Sequence, residues 1–149
     1  MGAERDRDRK GDMDLIEKVF LLQEVDLLAG ARSEQIALIA SIAREIDVDG
    51  GRVLLRRGEP TGALYVLIRG AVELGGVADQ YVSVPVGAPF GTWALIDDEP
   101  SLVEARAKTP SRVLEIRRSD FHDLLVDRPE LGLDLLRGLA RRVRSLAPA

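Results

Sequence analysis

The chain of 149 residues has no cysteine and only one histidine, His122. The first absence excludes disulfides, thiol chemistry and cysteine-ligated zinc, and fits a reducing, cytoplasmic location. The second leaves His122 without another imidazole or thiolate to share a metal. Beside Phe121 on a short amphipathic stretch, it reads as an exposed helix residue. No apolar run approaches the roughly 20 residues a membrane-spanning helix needs, and no signal-peptide pattern opens the chain. Cations are not in excess: 21 Lys and Arg against 25 Asp and Glu give a net charge of −4. That balance gives no global attraction to nucleic acid or to an anionic membrane. Signs of catalysis are missing as well. No serine has a nucleophile-elbow context, and Gly50-Gly51 and Gly75-Gly76 read as turns rather than phosphate loops. Asp97-Asp98-Glu99 lacks the alternating ligand spacing of a calcium loop. The expectation is a non-enzyme with no catalytic residue, no metal and no membrane insertion.

What is present is one domain's worth of patterned apolar sequence, 46% of the residues. Residues 1–12 alternate Arg and Asp and read as a disordered N-terminal segment, with the domain proper over 13–149. Leu15, Ile16, Val19, Phe20 and Leu22 recur at helical spacing behind Asp12 or Asp14 as a cap. A second helix is expected after Ser33, with Ile36, Ile39, Ala40, Ala43 and Ile46 on one stripe. Asp49-Gly50-Gly51 then marks the change to strand chemistry. Val53–Leu55, Leu64–Ile68, Val72–Leu74, Tyr81–Val84, Leu102–Ala107 and Arg112–Ile116 are short β-type runs punctuated by glycine. A short helix capped by Ser119 and a longer one from Pro129 to about Leu146 close the chain. The fold class is α+β: an antiparallel β jelly-roll barrel flanked by N-terminal and C-terminal helices.

Two stretches carry a resemblance. One is Gly58-Glu59-Pro60-Thr61-Gly62-Ala63-Leu64-Tyr65, followed by Gly70; the other is Phe90-Gly91-Thr92-Trp93-Ala94-Leu95-Ile96-Asp97-Asp98-Glu99-Pro100-Ser101. Together they resemble the cyclic-nucleotide-binding domains of catabolite-activator-like proteins and kinase regulatory subunits. The second stretch has the length and frame of that family's phosphate-binding cassette. The resemblance implies a ligand site at Phe90, Gly91, Thr92, Trp93, Ala94, Leu95, Pro100, Ser101 and Leu102. It also implies a glutamate after Phe-Gly to grip a ribose hydroxyl and an arginine after the proline to pair with the cyclic phosphate. This chain has Thr92 and Ser101 there, and Leu102 where a small or hydroxylated residue is usual. The implied ligand is therefore cyclic AMP or cyclic GMP held weakly or not at all, with no other cofactor. Arg106, placed by strand alternation with Leu102 and Glu104, reads as a surface residue rather than a substitute phosphate ligand.

At 100° per residue, Leu131, Leu133, Leu135, Leu136, Leu139, Ala140, Val143 and Leu146 span an arc of about 200°, wider than one-sided packing requires. Arg137, Arg141 and Arg144 lie on the other face. In the family this helix is the usual dimer seam, so helix 129–146 is expected to meet a second copy or a neighbouring domain. The chain ends before any helix-turn-helix, and no direct nucleic-acid contact is expected. Two functions remain open. One is a regulatory sensor domain for signal transduction; the other is a ligand-free interaction module that presents its last helix.

Overall fold

The structure is a computed structural model, and it describes residues 12–78 and 80–146. The expectation for the Arg/Asp-rich start lies outside the described residues except at Asp12.

Helix α1 (Leu15–Leu22) begins where the Asp14 carboxylate accepts the Glu17 amide at 2.8 Å. A single 3-10 turn, Asp26–Leu28, then buries Leu27 and Leu28. Helix α2 (Ser33–Ile42) follows. Ser33 is its first helical residue rather than its cap: Arg32 holds the cap position, and its amide donates to Gln35 Oε1 at 3.1 Å.

The helix was expected to run on through Ile46, and here the structure differs. Ala43 turns to an extended conformation and β1 (Arg44–Val48) begins at once. The cause is a two-residue period. Glu45 and Asp47 share one strand face, where Arg112 reaches them at 2.7 Å and 3.4 Å. Asp12 pairs with the same guanidinium. Arg112 is only 7% exposed, and a buried cation needs such partners. Ile46, between the two acids, packs against an apolar core that includes Val48 and Val113.

The remaining strands are β2 (Val53–Leu55), β3 (Ala63–Arg69), β4 (Val72–Val77), β5 (Gln80–Ser83), β6 (Pro89–Phe90), β7 (Glu104–Ala107) and β8 (Ser111–Arg117). They form two antiparallel four-stranded sheets, ordered β1-β8-β3-β6 and β2-β7-β4-β5. The architecture is thus α+β, with two separate sheets in place of one closed barrel.

Strand β3 explains its own apolar run: alternation sends Tyr65 and Leu67 into the core between the sheets, and Leu64 and Val66 into the core under the helices. Helix α3 (Arg118–Asp127) leaves β8 directly, with the Arg118 amide donating to Gly62 O at 2.9 Å. Ser119 therefore sits inside the helix and does not cap it. Helix α4 (Pro129–Leu146) follows. No helix among the described residues is long and apolar enough to cross a membrane.

Candidate functional site

The cassette begins on β6. Phe90 pairs with Tyr65 of β3 across the sheet, and the two rings stack with centroids 5.3 Å apart. Burial, aided by the Glu115 carboxylate, pushes the Tyr65 hydroxyl up to about 12, so it stays protonated near neutral pH. Gly91 follows in the left-handed region at φ 71°, where a Cβ would meet Ala63 O at 3.0 Å. Only glycine makes that turn without strain. The chain then closes one 3-10 turn, Thr92–Leu95, with the Ala94 amide donating to Gly91 O at 3.1 Å. A turn this short carries a small summed dipole.

Beyond it, the Asp97 carboxylate accepts the Glu99 amide at 3.3 Å, and Pro100 forms a bridge with Pro60. The Ser101 amide donates to Glu59 O at 2.9 Å, while Ser101 O accepts the Gly58 amide at 2.8 Å. These bonds tie the two resembling stretches together. The Ser101 hydroxyl donates to Val103 O at 2.7 Å, so it is used within its own loop.

Eight of the nine sequence-predicted site residues line one cleft of about 640 Å³: Phe90, Gly91, Thr92, Trp93, Ala94, Pro100, Ser101 and Leu102. The cleft is also walled by Leu55, Leu74 and Val103. Its ionisable lining residues are Asp97 and Glu99, and among the described residues no lysine, arginine or histidine lines it. Trp93 is 54% exposed and Leu102 79% exposed at its opening. Arg106 stays on the surface, paired with Glu104 at 2.7 Å. Among the described residues, no group of three metal-ligating side chains could hold an ion.

The ninth residue, Leu95, turns away. It is wholly buried and lines a second, apolar groove of about 260 Å³ with Phe121, Leu125, Leu135 and Leu139. That groove joins the cassette to α3 and α4.

Two contacts were missed in the sequence. His122 Nε2 lies 3.0 Å from Leu95 O, and because a carbonyl only accepts, this nitrogen carries the proton. Arg118 pairs with Asp98, which removes that carboxylate from the cleft's uncompensated charge. Each partner is distant in sequence, and no local spacing signals the pairing.

Helix α4 is held on its inner side. Leu131 and Leu135 are buried, and a Cβ on Gly138 would fall 2.4 Å from Gly30 Cα. Asp134 accepts from buried Gln35 and from Arg137 at 3.1 Å, with Arg32 at 3.6 Å. The Gln35 hydrogen bond, then these cations, hold its carboxyl below the usual carboxylate range. Leu133, Leu136, Val143 and Leu146 are exposed, and Leu136 also lines the rim of the groove that Leu95 enters.

Comparison with known proteins accords with this geometry. Residues 45–128 match a family model described as a cyclic nucleotide-binding domain. A cAMP-dependent protein kinase regulatory subunit from Emericella nidulans is 35% identical over 106 residues, which is 70% of this chain and 26% of the relative. A CRP-like cAMP-activated global transcriptional regulator from Mycobacterium tuberculosis is 28% identical over 129 residues, 83% of this chain and 58% of the relative. The chain thus spans between a quarter and three fifths of these relatives' lengths. Among solved structures, the N-terminal domain of a transcriptional regulator from Streptomyces coelicolor superposes with a TM-score of 0.74 at 28% identity. That match covers 87% of this chain and 96% of the other.

Proposed function

This chain belongs to the cyclic nucleotide-binding domain family, and from that premise we propose that it is a regulatory sensor domain, not an enzyme, whose grip on cyclic AMP and cyclic GMP is weakened or lost. The observation that carries the reading is the lining of the cleft: among the described residues it holds two carboxylates and no cation. Ser101 stands where the family's arginine would pair with the phosphate, and its hydroxyl is engaged by Val103. Thr92 stands where the glutamate would hold the ribose. A hydrogen bond to a charged group contributes about 1.5–3 kcal/mol, with bidentate arginine contacts at the strong end. Losing both partners costs on the order of 3–6 kcal/mol, about two to four decades in affinity. Calorimetric titration tests this: wild type should bind neither nucleotide tighter than high micromolar. Low-micromolar binding would overturn it, and the leading amides of the cassette would then be holding the phosphate unaided.

The eight strands in two sheets are compatible with a jelly roll. A second reading, an interaction module that needs no ligand, is favoured by the outer face of α4. That face exposes Leu136 at 64% and Val143 at 62% while its inner side is packed. Exposed leucines in a row mark a contact surface, and self-association through α4 is the occupant this reading commits to. Leu136→Asp with Val143→Asp should convert a dimer to a monomer in sedimentation. A wild-type protein that is monomeric at high concentration would reject the homodimer.

A further inference from the structure

The cleft did not simply lose its nucleotide contacts and fill in. It remains about 640 Å³, a volume in the range that takes a small organic molecule. Its walls are apolar side chains from both sheets, with Leu55 and Leu74 on one and Phe90 on the other. At the mouth, Trp93 and Leu102 leave 54% and 79% of their surfaces in water, although each has a hydrophobic side chain. No element among the described residues covers them.

The charge at the mouth has one sign. Asp97 and Glu99 line it; Arg118 pairs with Asp98 and Arg106 with Glu104, while Arg56 and Arg57 flank the Leu55 wall without lining the cleft. An anion entering this cleft meets two carboxylates and, among the described lining residues, no counter-charge. A cation meets both carboxylates and a half-exposed indole, a ring whose face attracts positive charge through its quadrupole.

We infer that the cleft is a binding site for an organic cation with a planar apolar body. The body occupies the wall of Leu55, Leu74 and Phe90, and it covers Trp93 and Leu102. The positive group stays at the mouth beside Asp97 and Glu99, where it keeps part of its hydration. This deepens the functional reading above and rests on it, since the same lining that disfavours a cyclic phosphate selects the opposite charge.

Trp93 is the chain's one tryptophan, so nitrogen-labelled protein shows a single indole resonance that reports on the cleft mouth. Tryptamine, tryptophol and indoleacetate share one ring system and differ in charge. Tryptamine should bind about twofold to thirtyfold tighter than tryptophol, since two exposed carboxylates face its ammonium group. Indoleacetate should bind weakest. Added salt should narrow the spread. Asp97→Asn with Glu99→Gln, both at exposed positions, should remove the tryptamine advantage and leave tryptophol binding unchanged. The inference is overturned by equal affinities, by a preference for indoleacetate, by an advantage that survives the double substitution, or by no shift of the Trp93 resonance at millimolar tryptamine. Cyclic AMP in the same titration separates the two readings. Tight cyclic AMP binding removes the functional reading, whereas a cleft that ignores every probe leaves that reading standing and removes only this one.

Discussion

Trp93 and Leu95 sit two residues apart on one 3-10 turn, yet Trp93 is 54% exposed and Leu95 is wholly buried. The turn has a front that looks into the cleft and a back that looks toward the helices. On the back, Leu95 packs beside Phe121 and Leu135, its carbonyl accepts from His122, and α4 lies backbone to backbone against Gly30. On the front, Phe90 and Ala94 are held by the core, but Ser101 is used within its own loop and Leu102 is left in water. The difference separates two requirements that share one segment. Residues that fix the position of the cassette meet the packing demands of the core, where a lost methylene is felt. Thr92, Ser101 and Leu102, which also line the cleft, lie outside the buried core, so they can change while the framework stays.

The largest way to break that comparison is to rebuild the front on the existing back. Thr92→Glu, Ser101→Arg and Leu102→Ser together should raise cyclic AMP affinity by about two to four decades, because they supply the charged contacts that the proposed function holds to be missing. Calorimetry on the folded triple variant is the measurement. Of the single changes, Ser101→Arg should account for most of the gain, because only it places a cation beside the phosphate. A triple variant that folds and still ignores nucleotide would show that the front is blocked by more than these residues, with Trp93 the first to replace.

The back is tested next by Leu95→Ala. Removing a buried leucine costs about 2–5 kcal/mol. If the back of the turn positions α4, hydrogen exchange should rise more after Pro129 than in the two sheets. A rise that is uniform, or confined to the strands, would mean that Leu95 supports the core without coupling the cleft to α4. Gly138→Ala follows in size. Alanine gains about 1 kcal/mol of helix propensity over glycine, but its Cβ would lie 2.4 Å from Gly30 Cα. Overpacking of this kind costs about 1–3 kcal/mol, so denaturant melts should show net destabilisation. Stabilisation would mean that α4 shifts freely on its bed.

The sequence carried the framework better than the contacts. Strand β3 announced itself through Leu64–Ile68 because both its faces are buried. Helix α4 was legible from Pro129 onward because its leucines keep a helical period over five turns. The frame from Phe90 to Ser101 was legible as a pattern, although Leu95 turned out to face away from its neighbours' cleft. Strand β1 was not legible. Ile46 continued the stripe of the preceding helix, and the signal that overrides it, Glu45 and Asp47 meeting Arg112, spans more than sixty residues of chain. Arg118 with Asp98 and His122 with Leu95 were hidden for the same reason. Local periodicity reports which side of an element is apolar, and it says nothing about which distant polar group waits there.

The smallest expected effect bears on the comparison most directly, because it concerns the front alone. Leu102→Ser and Trp93→Ala remove large apolar side chains, and in a core either would cost several kcal/mol. Here Leu102 is 79% exposed and Trp93 54% exposed. Little buried area is lost, no cavity forms, and the backbone bonds that hold the loop belong to Gly58, Glu59 and Ser101. Substitutions away from packed or bonded features usually change stability by within about 0.5 kcal/mol. Leu102→Ser should fall in that range, and Trp93→Ala should exceed it modestly because half of the indole is covered. Urea denaturation with both variants beside Leu95→Ala gives the measurement on one scale. A loss at position 102 as large as that at position 95 would show that its side chain is covered in solution, by a second copy or by a closed loop. The front would then be a packed surface like the back, and its departures from the family pattern would belong to the fold.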